Sequence, residues 1–146
     1  MKTMNKICLK TKFENGLFIE LLDIFKTIPN GKDFQWAVLP IYEPTYIQEK
    51  AQDISSEVSK QIIAMKVASI DWKKLLVLSD GVGQFIDLVL IGCKDEKNLK
   101  PYPNDNEMFK TCDIVIVMFD TSYWEIGCKD QKLMDRFIQK FKHELK

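Results

Sequence analysis

Two carboxylates interrupt otherwise apolar stretches of this chain: Asp87 within Phe85-Ile86-Asp87-Leu88-Val89-Leu90-Ile91, and Glu125 within Tyr123-Trp124-Glu125-Ile126-Gly127-Cys128. Burial disfavours the charged form of a carboxylate and raises its pKa, which is the condition for general acid or base work near neutral pH. With the Tyr123 phenol beside Glu125, these three residues are the candidates for a carboxylate-containing pocket in a small enzyme or ligand-binding domain. Strand alternation supplies a plainer account. It sets Asp87 on a face with Phe85, Val89 and Ile91, and Glu125 with Tyr123 and Gly127, so each fits a partly solvated face with a lysine partner.

Other chemistry is sparse. The single histidine, His143, lies near the C-terminus among lysines, where its charge complements a helix end; no carboxylate or hydroxyl is indicated as its partner. Cys8, Cys93, Cys112 and Cys128 all fall in apolar, strand-like segments without a Cys-x-x-Cys pair, so they read as small hydrophobes rather than metal ligands. Gly81-Val82-Gly83 makes neither a dinucleotide nor a phosphate loop, and no Gly-x-Ser-x-Gly is present. No cofactor and no metal are expected, and no catalytic residue is assigned.

The 21 basic and 21 acidic residues cancel, which removes the global positive field of a nucleic-acid binder. Arg136 is the sole arginine, so bidentate phosphate and base contacts are scarce as well. With 146 residues and 46% hydrophobic content, one compact domain spanning 1–146 is expected. The N-terminus has no apolar core of signal-peptide length, and no stretch approaches the roughly 18 apolar residues that span a bilayer, so a cytoplasmic protein with reduced cysteines is expected.

Periodicity and turn residues place the elements that hold these side chains. A first strand runs over Lys6–Thr11, and a helix from about Gly16 to Thr27 carries Leu17, Phe18, Leu21, Leu22 and Phe25 at helical spacing. Phe34–Leu39 is a second strand. Pro40 and Pro44 make the adjoining Ile41–Ile47 an edge or loop, and a helix capped by Ser55 or Ser56 is expected through about Met65. Asp71 caps a short helix over Trp72–Leu78, although Leu75–Leu78 also fits a hairpin arm; Phe85–Ile91 is a strand, and Lys94–Asn106 a polar connection.

Thr111–Leu145 is the best-specified stretch. It contains a strand over Cys112–Phe119 buried on both faces, a turn at Asp120-Thr121-Ser122 and a return strand over Tyr123–Cys128. Next comes a helix capped by Asp130, with Leu133, Met134, Phe137, Ile138, Phe141 and Leu145 on its apolar stripe. The phrase Ile91-Gly92-Cys93-Lys94-Asp95 is echoed by Ile126-Gly127-Cys128-Lys129-Asp130, which we read as two strand exits meeting the same local need. The fold class expected is α+β: a mainly antiparallel sheet with helices packed on one face and a C-terminal amphipathic helix.

Cys112-Asp113 leading into an apolar strand, the turn Asp120-Thr121-Ser122-Tyr123, the strand ending Cys128-Lys129-Asp130 and the terminal helix together resemble small bacterial domains, including immunity-like proteins of toxin systems. The likeness covers about a quarter of the chain. It implies a small cytoplasmic protein whose partner is a cognate toxin domain, neutralised by covering its active site or another essential surface. An inhibitor of that type uses aromatic anchors and carboxylates against a basic partner. The candidates are Trp36, Tyr42, Glu43 and Tyr46, then Asp95, Glu96 and Asp105. A third reading is a self-associating domain with an exposed strand edge.

Overall fold

A computed structural model describes residues 6–39, 68–81 and 87–146. The strands are β1 (Lys6–Leu9), β2 (Gln35–Val38), β3 (Ala68–Ile70), β4 (Leu88–Cys93), β5 (Ile114–Phe119) and β6 (Tyr123–Cys128). The helices are α1 (Leu21–Phe25), α2 (Trp72–Gly81), α3 (Asp105–Thr111) and α4 (Gln131–Lys140), with 3-10 turns at Gly31–Asp33 and Glu96–Asn98. The strands form one antiparallel sheet in the order β1-β6-β5-β4-β2-β3, so the chain is α+β.

Alternation divides the sheet into two apolar faces, each of which must be covered. On the first, Trp36, Leu90, Ile116, Trp124 and Ile126 pack against Ile24 and Phe25 of α1, Leu75 of α2 and Leu133 and Phe137 of α4. On the second, Ala37, Val89, Ile91, Cys93 and Val115 meet Met108 and Phe109 of α3. Three described helices therefore share one face as the sequence predicts, and the short α3 covers part of the other. The amide of Lys10 donates to Glu144 O at 2.8 Å and that of Lys146 to Cys8 O at 3.0 Å, so the C-terminal residues close the outer edge of β1.

Several expectations are corrected. The helix foreseen over 16–27 is confined to α1, because Gly16 at φ +88° turns the chain into a bridge between Lys12 and Phe18. Leu17 and Phe18 are consequently exposed. The connection 94–106 gives way at Asp105 to α3, capped by Asn104, whose Oδ1 accepts from the Glu107 amide at 2.9 Å. The C-terminal helix ends at Lys140; Phe141 remains buried, Ile138 faces outward and Leu145 bridges to Leu9. At α2 the helix reading holds over the hairpin alternative, with Asp71 Oδ1 accepting from the Lys74 amide at 2.8 Å. The loop foreseen over 41–47 and the helix through about Met65 lie outside the described residues.

The echoed phrase has a structural counterpart. Cys93 and Cys128 are the last residues of their strands, and two positions later Asp95 caps the Glu96–Asn98 turn and Asp130 caps α4. Their side chains accept from the Lys97 amide at 3.1 Å and the Lys132 amide at 3.0 Å. The repeated sequence is a repeated strand-exit and capping device.

Candidate functional site

The β5–β6 hairpin turns through Asp120 and Thr121, both left-handed at φ +48° and +53°. Asp tolerates that region, whereas a β-branched residue does not, so Thr121 holds strain of about 1–2 kcal/mol. Four hydrogen bonds hold the turn in place: the Ser122 amide donates to Phe119 O at 2.8 Å, the Asp120 amide to Asp87 Oδ1 at 2.9 Å, and the Thr121 and Ser122 hydroxyls to Asp120 O at 2.7 and 3.1 Å. The ring of Phe119 is 52% exposed and lies 5.6 Å from that of Tyr123. Phe119 is thus not the buried strand end that its apolar neighbours predict. Positive φ at both central residues, closed by the Ser122 amide, is the geometry of a type I′ hairpin turn, so the backbone here serves the strand connection; what sets the tip apart is the exposed Phe119 ring beside the half-buried Tyr123.

Beside the tip lies a recess of about 310 Å³ lined by Asp87, Asp105, Val117, Phe119, Tyr123 and Glu125. Asp87 leads into β4, Glu125 and Tyr123 share one face of β6, and Asp105 opens α3 on that same side of the sheet. The alternation read from the sequence places Glu125 with Tyr123; the pairing of β4 with β5 and of β5 with β6 brings Asp87 beside them, and α3 adds Asp105. Glu125 Oε2 sits 3.0 Å from Lys6 Nζ and accepts from Cys8 Sγ at 3.9 Å. The Glu125 hydrogen bond raises the Lys6 pKa above the usual lysine value against the opposing effect of burial, with a smaller contribution from Asp105. Lys146 Nζ stands 5.0 Å from the Tyr123 ring centre.

These carboxylates already hold structure: Asp87 secures the turn, and Glu125 ties β6 to β1. What remains directed outward is the exposed Asp105 carboxylate, with Asp87 beside it, next to an aromatic knob, suited to a cationic surface.

The partner-binding candidates scatter. Trp36 is 1% exposed, its Nε1 donating to Gly31 O at 2.8 Å, so it is a core ring and not a surface anchor. The strand context around Trp36 directs its ring onto the helix-covered face. Tyr42, Glu43 and Tyr46 lie outside the described residues. Asp95 and Glu96 are exposed on the 3-10 turn after β4, at the sheet end away from the β5–β6 tip, and only Asp105 joins the recess. Sequence reasoning does not single out Phe119, Asp120 and Thr121; a short turn between two strong strands is the available signal for the tip. His143 does have a partner, with Nδ1 3.7 Å from Glu14 Oε1 in an exposed pair.

A second polar cluster is interior. Cys93 and Cys112 lie within the second core face beside Tyr102, whose hydroxyl donates to Asn98 O at 2.7 Å. The neighbouring Cys93 lowers the Cys112 pKa against the opposing effect of burial, with Tyr102 adding to the lowering, whereas Cys93 is raised by the same contact and by burial. At 0% and 1% exposure these thiols have no opening to a substrate. Burial, helped by the nearby Asp130 charge, pushes Cys128 up to about 12. Among the described residues no His, Cys, Asp and Glu group forms a metal site, and no helix is long and apolar enough to cross a membrane.

Compared with protein-family models, curated proteins and solved structures, the chain matches none.

Proposed function

We propose that the protein is a binding module of the immunity type, which neutralises a cognate toxin domain by covering its active or essential surface with the β5–β6 hairpin end. The observation that carries this reading is the exposed Phe119 at the hairpin tip beside Asp87 and Asp105, with the Glu125 charge offset by Lys6. An exposed ring supplies apolar area to a partner at low entropic cost, and carboxylates around it steer a basic surface and fix its orientation. The partner is accordingly a protein domain with lysines or arginines around its functional surface.

The convergence of Asp87, Asp105, Glu125 and Tyr123 on one recess favours a second reading, a small ligand-binding or catalytic pocket. The existing bonds of Asp87 and Glu125 count against it, because a general base must be free to exchange its proton with a substrate.

Co-expression with the cognate toxin domain separates the two. The binding reading predicts restored growth, lost when Phe119→Ala is combined with Asp105→Lys and retained in Glu125→Gln. No complex with that domain, or full rescue by the double variant, contradicts it. Loss of rescue in Glu125→Gln, with the fold and the complex intact, supports the pocket instead.

A further inference from the structure

The sheet carries a surface of opposite charge at another place. Between the Glu96–Asn98 turn, β2, β3 and the start of α2 runs a groove of about 930 Å³, and Lys32, Lys73, Lys74 and Lys97 line it. All four are exposed, Lys97 in an open 3.4 Å pair with Asp95; with that carboxylate and the Asp71 and Glu96 of the described lining, the four lysines still outnumber the three acids in a chain whose total charge is zero. Lys94 adds to the same end, its Nζ standing 6.0 Å from the ring centre of Phe34, which is itself part of the lining. Lys73 and Lys74 occupy the first turn of α2, where the helix dipole disfavours cations.

We propose that this groove docks an acidic peptide segment of a partner protein, its Asp and Glu side chains meeting Lys32, Lys73, Lys74 and Lys97. Several features favour a peptide over a nucleic acid. The groove holds no arginine, the residue suited to bidentate phosphate contacts; Arg136 lies on α4 beside Thr27, its Nε donating to Thr27 O at 3.2 Å. Among the described residues base-stacking platforms are lacking, since Phe34 and Trp36 are buried and Trp72 already stacks on Trp36 with ring centres 5.3 Å apart. Asp71 and Glu96 interrupt the cationic lining, which tolerates spaced carboxylates better than a continuous phosphate backbone. The groove is also broad for a lone small anion, lying at the upper end of ligand-pocket sizes. The inference does not depend on the immunity reading, because its site and its test share no residue with the hairpin recess.

Fluorescence anisotropy of a labelled oligo-glutamate peptide tests it on the full chain, with a single-stranded oligonucleotide of equal charge and inorganic phosphate as competitors. Saturable peptide binding is expected, weakening about tenfold when Lys32→Glu and Lys73→Glu are combined. It also weakens from low salt to about 0.15 M, and it is unchanged by Lys142→Glu on the remote C-terminal surface. Lys73→Glu places an acid in the first turn of α2 and does not weaken that helix, so loss of binding reports on the groove rather than on folding. Absence of saturable binding at low salt, equal binding by the double variant, or displacement by the oligonucleotide or by phosphate at lower concentration than the unlabelled peptide overturns the proposal.

Discussion

Gly92→Ala tests the packing on which the sheet depends. Gly92 in β4 faces Trp36 in β2 across the ladder, and a Cβ at that position falls 2.8, 2.9 and 3.0 Å from three carbons of the indole. Comfortable carbon contacts lie near 3.5–4.0 Å, so the ring or the strand must give by about 0.5–1 Å. The ring is poorly placed to do so. Its Nε1 is bound to Gly31 O at 2.8 Å, Trp72 stacks on it at 5.3 Å, and Phe25 and Phe34 meet it edge-on at 5.9 and 6.0 Å. Overpacking of this kind costs about 1–3 kcal/mol. Reduced freedom of the unfolded chain returns at most about 1 kcal/mol, leaving a net loss of about 1–2 kcal/mol. With an unfolding entropy near 2.1 cal/mol/K per residue, that lowers Tm by about 3–7 °C. Urea and thermal melts followed by circular dichroism measure the loss. Adding Trp36→Phe, which makes room for the methyl group, should give a double variant more stable than the two single losses sum to, with a coupling of about 0.5–3 kcal/mol. A Gly92→Ala variant as stable as the parent, or strict additivity in the double variant, refutes the reasoning.

At the hairpin tip, Thr121→Gly relieves the left-handed strain and should raise stability by about 0.5–1 kcal/mol in a denaturant melt, net of the extra freedom glycine gives the unfolded chain. Cys8 is the one partly exposed thiol of the four, so brief native alkylation should label a single site and none after Cys8→Ser, whereas denaturant exposes all remaining thiols to mass analysis. Because Glu125 raises the folded-state pKa of Lys6, the stability this pair supplies is full below the ordinary lysine value and is lost as pH rises through the folded value. Glu125→Gln should therefore cost about 0.5 kcal/mol at pH 7, a partly exposed pair being worth little, and should flatten the alkaline fall in Tm.

Strand periodicity carries much of this architecture, and local capping carries the rest less visibly. The Tyr123–Cys128 strand is legible residue by residue because Trp124 and Ile126 alternate with Tyr123 and Glu125; that Asp87 joins Glu125 and Tyr123 follows from strand pairing, which alternation within one strand does not reveal. The 16–27 segment misleads for a related reason. Leu17 and Phe18 sit at helical spacing from Leu21, yet a positive-φ turn at Gly16 decides their path, and both side chains are left to solvent. The α3 helix is signalled by Asn104 and Glu107, a capping pair submerged among the polar residues of its connection. Trp36 reads as a surface anchor in the sequence because strand alternation alone does not say which face a helix covers. Phe119 is hidden by the opposite error, since an apolar run does not mark the residue at which the sheet ends.

Whether the hairpin end is the docking surface is the central question. Isothermal titration of the cognate toxin domain against the parent protein, Phe119→Ala, Asp105→Lys and Lys32→Glu measures this directly. Docking through the hairpin end predicts that Phe119→Ala weakens binding by about 2 kcal/mol, a roughly 30-fold rise in Kd. Asp105→Lys is expected to weaken it further as charge repulsion replaces attraction, with Lys32→Glu unchanged. Undiminished affinity in both hairpin-end variants, with each variant folded, contradicts it.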